Sequence, residues 1–399
     1  MMYKDIFDEI IKARDILKNN ANITPIFDAS NFGNNVYLKM ENLQKTGSFK
    51  FRGAYNKINN LTDEEKKKGV IASSAGNHAQ GVAKSATSQG ISSLICIPAF
   101  APIAKIEATR NYGAEVELVE GGYDDSYIRA LELAKEKDLV FLHPFDDKYV
   151  IAGQGTIGLE ILDQLPQVDR IVVPIGGGGL IAGIAVAVKS LRPDIEIIGV
   201  EPTTAASMKK SIELGSVTEI DSAISIADGI AVRKPGNLTF EICNSLVDRV
   251  IEVTDAEIAE AILNLLEKNK LVSEGAGAAA VAAINKLEDD KVTCAILSGG
   301  NINVNMVSRI IQKGLYKSGR LCEITTLLED KPGELNRLLN HLKDLEVNIL
   351  TINQYAEHEK NELGNLVVRL VLETKGTEQV QELYSLLGSK GYKHYKELW

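Results

Sequence analysis

The sequence predicts an α/β protein in two parts. A body of parallel-rich sheet flanked by helices is followed by a small βαββαβ module of ferredoxin-like type. Three observations predict it. From about residue 67 to 300, short β-branched apolar runs alternate with longer helical patterns, the signature of a parallel sheet covered on both faces. Glycine- and serine-rich turns follow three of those runs, where such sheets bind ligands. After Ile311 the order becomes strand, helix, strand, strand, helix, strand within about 80 residues.

The elements follow in order. Met1 to Asn20 reads as an amphipathic helix carrying Lys4, Asp5, Asp8, Glu9 and Lys12, without the apolar core of an export signal, so a cytoplasmic protein is expected. Strands are expected at Gly69–Ala72, Ser92–Pro98, Glu115–Val119, Leu139–Leu142, Arg170–Pro174, Ile195–Glu201 and Lys291–Ser298, with helices such as Ala79–Gln89 and Asp255–Asn269 between them. Ile171 to Val188 has no charge, but Pro174 and glycines 176 to 179 would break a spanning helix, so strand, loop and buried helix is the expectation. Gln312–Arg320 is polar, contains glycine and reads as a linker. Beyond it come strand Leu321–Glu329, turn Asp330–Gly333, helix Glu334–Leu345, strands Val347–Tyr355 and Leu366–Glu373, helix Thr377–Gly388 and strand Tyr392–Leu398.

Composition narrows the class. The 399 residues are 45% hydrophobic, and 44 Lys plus Arg against 54 Asp plus Glu give a net charge of −10. A chain this long is expected to hold two or three domains, and its acidity argues against nucleic acid or an anionic membrane as partner. Cys96, Cys243, Cys294 and Cys322 are widely spaced, which predicts buried thiols and no zinc site. His143, His341, His358 and His394 have no ligand spacing and are expected to be structural or surface residues.

Four stretches carry chemistry. Ser73-Ser-Ala-Gly-Asn-His78 leads into a helix and offers hydroxyls and amides to a carboxylate, although Ser, Asn and Gly also suit a plain helix start. Gly176-Gly-Gly-Gly-Leu180 has no β-carbon over four residues, so its amides can wrap a phosphate at a helix N-terminus. Gly177, Gly179 and Ala182 also fit a relaxed dinucleotide pattern, with Glu201 placed as a ribose-binding acid, so a nicotinamide enzyme is a rival at this point. Ser298-Gly-Gly-Asn301 follows another apolar strand and can face a ligand ring or cap a helix. Lys50 lies among Gly47, Ser48, Phe49, Phe51 and Gly53, which predicts partial burial and a lowered pKa.

Glu41-Asn-Leu-Gln-Lys-Thr-Gly-Ser-Phe-Lys50, Ser73–Gly81, the tetraglycine loop and Ser298–Asn301 together resemble, in order and spacing, the tryptophan-synthase-β-like (fold type II) pyridoxal-phosphate enzymes, and among them the threonine dehydratases, or threonine ammonia-lyases. Pro98 to Val116 is also similar. The resemblance covers roughly residues 5 to 315. It implies a two-lobed catalytic body over 1–315, with a small lobe at roughly 50–150 inserted in the large one, a linker at 312–320 and a further domain at 321–399. It implies pyridoxal 5'-phosphate held covalently by Lys50, which also acts as base on Cα. Phe49, Asn77, Leu180, Ser298 and the phosphate loop Gly176, Gly177, Gly178 and Gly179 would bind the cofactor, with Asn77 on the ring oxygen and Ser298 facing the ring nitrogen. Ser74, Ala75, Gly76, Asn77 and His78 would grip the substrate carboxylate. A neutral hydroxyl at the ring nitrogen favours prompt β-elimination. The implied reaction is dehydration and deamination of threonine to 2-oxobutanoate and ammonia, or of serine to pyruvate, in isoleucine biosynthesis or threonine catabolism.

Departures from relatives refine this. Ala75 stands where racemases of the family have a second serine, so racemisation is expected to be minor. Thr203–Met208 offers no carboxylate for the racemases' divalent metal, so no such site is expected, whereas a carbonyl-bound monovalent cation is compatible. Glu274 is family-like but equally suits a helix cap. Leu321 to Trp399 resembles an ACT domain, a module that pairs side by side and binds an effector amino acid between a strand and the neighbour's turn. Asp330, Gly333, Leu335 and Asn348 occupy the matching positions, which implies regulation, with isoleucine the first effector to consider, or a domain kept for dimerisation alone. A homodimer or homotetramer is implied. The rival classes are an ACT-bearing NAD-dependent dehydrogenase, a non-catalytic amino-acid sensor and, within the family, a serine dehydratase or racemase.

Overall fold

The computed structural model describes residues 3–287, 290–355 and 364–395, and the chain divides between Asn303 and Val304 into two units. In the first unit the apolar runs become β1 (Ile26–Asp28), β2 (Val36–Lys39), β3 (Val70–Ser73), β4 (Ser93–Pro98), β5 (Glu115–Val119), β6 (Val140–Phe141), β7 (Arg170–Pro174), β8 (Glu196–Pro202), β9 (Arg249–Val253) and β10 (Thr293–Ile296). One sheet has the order β1-β2-β10-β7-β8-β9 and is parallel except for β1. The second, β5-β4-β3-β6, is wholly parallel, and its residues fall in sequence between β2 and β7. The strands between β2 and β7 in sequence therefore form a sheet of their own.

The core explains the order. All of β7 is buried, as is the helix Gly179–Leu191 up to Val188, so the charge-free stretch is the centre of the larger sheet and its covering helix. The helix Lys4–Leu17 packs Ile6, Ile10, Ala13 and Leu17 inward at helical spacing. The helix Lys148–Gln164 crosses Gly179–Leu191 through Gly155 and Gly183: a β-carbon on Gly183 would lie 2.3 Å from the Ile151 carbonyl oxygen. β1, β2 and β9 escape the sequence pattern because they are short or carry charges among apolar positions, as in Arg-Val-Ile-Glu-Val. The expected helix Asp255–Asn269 is α-helical to Asn264 and closes with a π-type turn, Leu265–Asn269. The four cysteines are buried, and none forms a disulfide among the described residues. Among the described residues no helix is long and apolar enough to cross a membrane.

The second unit begins with the helix Val304–Lys317. This helix runs through most of the stretch 312–320 expected to be a linker, leaving a turn at 318–320, and the units part before it rather than after it. Ile310 is buried on an amphipathic face, and a lone Gly314 costs a helix only about 1 kcal/mol. Then follow β11 (Leu321–Glu329), helix Glu334–Asp344, β12 (Asn348–Tyr355), β13 (Asn365–Glu373), helix Thr377–Ser389 and β14 (His394–Tyr395). The sheet order β12-β13-β11-β14, antiparallel throughout, is the ferredoxin-like arrangement. Its core is Ile324, Leu328, Leu338, Leu342, Leu370 and Leu387 with their neighbours. Of the strand expected at 392–398, residues 396–398 lie outside the described residues, as does His358.

Candidate active site

Lys50 opens the helix Lys50–Asn59, and the chain before it is tied down. The Phe49 amide donates to the Ser298 carbonyl at 3.1 Å, the Gly300 amide donates to the Gly47 carbonyl at 2.9 Å, and Ser48 bridges to Gly299. From the side, Gly81 of the helix Asn77–Ser88 rests on the Lys50 backbone: a β-carbon there would stand 3.2 Å from the Lys50 carbonyl group. The Lys50 amine donates to the Pro144 carbonyl at 2.8 Å and lies 5.4 Å from the Phe49 ring centre. Burial draws its pKa down to about 8, against the pull of the Glu274 carboxylate toward the charged form.

Asn77 and Glu274 meet beside it. The Asn77 side-chain amide donates to the Glu274 carboxylate, while its own oxygen accepts from the Asn301 amide at 2.8 Å. Asn301 donates as well to the Thr46 carbonyl at 2.7 Å. Glu274 precedes the helix Gly275–Ala282 but makes no side-chain cap, so the capping alternative gives way to the bond with Asn77. Burial, with the negative charge of Asp228 nearby, pushes Glu274 up to about 7. Gly299 lies under this pair, since a β-carbon on it would come 2.2 Å from a Glu274 oxygen. Ser298 is buried, and its hydroxyl has one long bond, 3.3 Å, to the Ala276 carbonyl.

The tetraglycine loop joins β7 to the helix Gly179–Leu191. Gly178 sits at φ +95°, and among the described residues no intramolecular hydrogen bond engages the amides of Gly176, Gly177, Gly178, Gly179 and Leu180 outside the helix's own ladder. The Gly177 carbonyl, by contrast, accepts from the Thr239 hydroxyl at 2.6 Å and the Gly236 amide at 3.3 Å. A β-carbon on Gly177 would lie 2.3 Å from the Phe145 ring. Phe145 adjoins Pro144, which holds the Lys50 amine, so the segment His143–Asp146 connects the lysine to the loop. Asp146 accepts the Asn237 and Thr239 amides at 3.0 and 3.2 Å, and His143 Nδ1 accepts the Asp146 amide at 2.8 Å. Sequence reasoning missed this segment because it has no glycine, although it too follows the end of a parallel strand, β6.

In Ser73–His78, the Ser74 hydroxyl accepts from the Gly76 amide at 3.1 Å, and Gly76 faces open space, with nothing within 4 Å of where a β-carbon would stand. Ala75 is half-buried. His78 turns inward: Nε2 meets the Leu142 carbonyl at 3.0 Å, and burial holds the ring neutral with a pKa of about 3. What His78 offers a carboxylate is its place at the helix N-terminus, not its imidazole.

These residues fit pyridoxal phosphate. Unengaged amides stand at a helix N-terminus where side chains would not fit, an amine has a lowered pKa, and a buried serine hydroxyl is held only by one long bond that a ring nitrogen could replace. Glu201, the acid that the dinucleotide pattern needs, is fully buried, and its two oxygens accept the Met208 and Lys209 amides at 2.9 Å each. It caps a neighbouring helix and has no free oxygen for a ribose. Among the described residues no three His, Cys, Asp or Glu side chains group as a metal site. In the second unit, Gly333 takes φ +97° at the start of its helix, and the Asn348 side-chain amide donates to Glu373 at 2.9 Å. Asn348 aligns through Glu373 with Leu321, whereas Asp330 follows the other end of β11, a strand length of roughly 25–30 Å away. The four residues thus do not converge within one module.

A family model described as "Pyridoxal-phosphate dependent enzyme" matches residues 17–299. The chain is 48% identical over 391 residues to an "L-threonine ammonia-lyase" of Thermotoga maritima, covering 96% of this chain and 98% of that protein. Among solved structures, the processed form of threonine deaminase isoform 2 from Solanum lycopersicum aligns with a TM-score of 0.74 at 36% identity, over 78% of this chain and 89% of that one. A maize serine racemase aligns with a TM-score of 0.73 at 35% identity, over 78% and 98%.

Proposed function

The chain belongs to the pyridoxal-phosphate dependent enzyme family, and from that premise we propose that it dehydrates and deaminates L-threonine to 2-oxobutanoate and ammonia, and L-serine to pyruvate. One observation carries the reading. The segment His143–Asp146 holds the amine of Lys50 through Pro144 and packs Phe145 on the glycine loop whose amides are unengaged. A cofactor bearing an aldehyde and a phosphate spans two such points.

When bound, pyridoxal phosphate supplies the electron sink that lets the Cα–H and Cβ–O bonds of an amino acid break. The chain's own residues do the rest. The amides of Gly176, Gly177, Gly178, Gly179 and Leu180 would hold the phosphate at the positive helix end. With a pKa of about 8, roughly a tenth of Lys50 is neutral at pH 7, a larger share than an ordinary lysine offers, and it takes the Cα proton. Phe49 lies against the lysine, and Asn77, held by Glu274 and Asn301, would present a fixed amide to the ring oxygen. Ser298 would offer the ring nitrogen a neutral hydroxyl rather than a carboxylate, a choice that suits prompt elimination. The substrate carboxylate binds at Ser74, Ala75, Gly76, Asn77 and His78, through the Ser74 hydroxyl and amides at the helix start. Ala75 has no proton to give to the opposite face, which separates this chain from the racemases of its family.

The second unit serves as an ACT module that senses an amino acid. Because Asp330, Gly333 and Leu335 lie a strand length from Asn348 in one chain, a second copy set antiparallel along β12 brings the turn of one to the strand of the other. That geometry supports a homodimer or homotetramer, with isoleucine as the first effector to test, in a cytoplasmic enzyme of isoleucine synthesis or threonine breakdown. Assays of 2-oxo acid and ammonia from threonine and serine test the reaction; absence of product from both overturns it.

A further inference from the structure

Behind the Lys50 helix lies a closed cluster of four charges that the chemistry above does not use. Arg52 is almost wholly buried and grips two carboxylates at once. Its Nε and one Nη reach Glu41 at 2.9 and 2.8 Å, and both Nη atoms reach Glu160 at 2.6 and 3.0 Å. Lys39, also buried, donates to Glu160 at 2.6 Å and to the Thr24 carbonyl at 2.6 Å. Two positive and two negative groups cancel. They tie strand β2, the turn Glu41–Leu43 and the helix Lys148–Gln164 to a single residue of the helix Lys50–Asn59.

Stability alone does not account for the cluster. Buried ion pairs add little over apolar residues of the same volume, and a cation in the first turn of a helix opposes the helix dipole. The placement accounts for it better. Two residues on from Lys50, Arg52 projects from the opposite side of the helix. Its backbone is clasped as well, since a β-carbon on Gly153 would lie 2.6 Å from the Arg52 carbonyl oxygen. We infer that Arg52, forked between Glu41 and Glu160, is the positioning residue that fixes the first turn of this helix and so the direction of the Lys50 amine. The inference rests on the proposed function only for what Lys50 does with its amine.

The test uses Arg52→Lys in the full chain, which keeps the charge and removes the fork. Steady-state kinetics with threonine should give a kcat lower by on the order of tenfold to a hundredfold, with KM nearly unchanged, as misplacement of a reacting group by about an ångström does. In cofactor-free protein, the pH dependence of Lys50 acetylation, read by mass spectrometry, should shift toward that of an ordinary lysine. The amine would then leave the surroundings set by Pro144, Glu274, His78 and His143. A folded variant with wild-type acetylation and kcat overturns the inference. So does one whose melting temperature and kcat fall together while Lys50 titrates as before, because that is a structural role only. If Arg52→Lys does not fold, Glu160→Gln, which leaves the Glu41 fork, carries the same readouts. The acetylation arm stands even if threonine proves not to be the substrate.

Discussion

Gly178→Ala separates the two reasons for glycine in the phosphate loop. At φ +95° a β-carbon strains the backbone, at about 1–2 kcal/mol. It would also stand 2.8 Å from Thr239 Cβ and 2.6 Å from Met208 Cε. The methionine tip can swing away, but Thr239 is pinned by its hydroxyl bond to the Gly177 carbonyl, so overpacking adds about 1–3 kcal/mol. The expected destabilisation is about 2–5 kcal/mol. Gly215→Ala is the internal control: it has φ +68° at a helix end but nothing within 4 Å of the new β-carbon, so it bears only the conformational cost. Stiffening of the unfolded chain, about 0.4–1 kcal/mol, is common to both and cancels. Urea unfolding of cofactor-free protein should therefore separate the two variants by about 1–3 kcal/mol. Dialysis followed by phosphate analysis should show pyridoxal phosphate lost from Gly178→Ala alone. Equal stability of the two variants, with cofactor kept by both, would refute the packing argument and the cradle together.

Other expectations follow from the same geometry. Glu274, raised in the folded state from 4.5 to about 7, stabilises fully below pH 4.5, and that contribution is lost as pH rises through 7, on the order of 3 kcal/mol. Unfolding free energies of Glu274→Gln should accordingly be higher than wild type above pH 7 and close to it near pH 4, and the reverse order would contradict the placement. Asn77→Ala, which frees the carboxylate, should weaken cofactor affinity by about tenfold in fluorescence titration while leaving the melting temperature within a few degrees. Initial rates with isoleucine or valine present should fall, and Asn348→Ala should blunt the response without changing the basal rate; indifference to both amino acids would remove the regulatory reading.

Much of this was legible in the sequence, for physical reasons that also mark where reading stopped. β7 and the helix after it are buried on all sides, so their code is a bare apolar run that no surface element shares. β1 and β9 compete with solvent on an edge and carry mixed sequences that look like loop. Asn77, Ser298 and the four glycines, proposed to hold the cofactor, were visible because turns at the ends of parallel strands are built from small residues, and Lys50 because its neighbours carry little charge. Pro144 and Phe145 were not, because a carbonyl that holds a lysine and a ring that packs on a loop leave no residue-type signal. Glu274 was ambiguous, since an acid before a helix usually caps it, and only the tertiary meeting with Asn77 decides. His78 was expected in the turn that grips a carboxylate, and nothing in the sequence showed that its ring turns inward, where a neutral imidazole buries readily once one carbonyl accepts its proton. The linker failed for a different reason: a polar amphipathic helix with one glycine has the same composition as a loop.

The most direct test of the central claim is the absorption spectrum of the purified protein and of Lys50→Ala, before and after threonine, with 2-oxobutanoate assayed in parallel. The account predicts a band at about 410 nm that changes on adding threonine as oxo acid appears, with both band and product absent in the variant. A protein that takes up no pyridoxal phosphate, or a Lys50→Ala variant that keeps the band and the product, would contradict it.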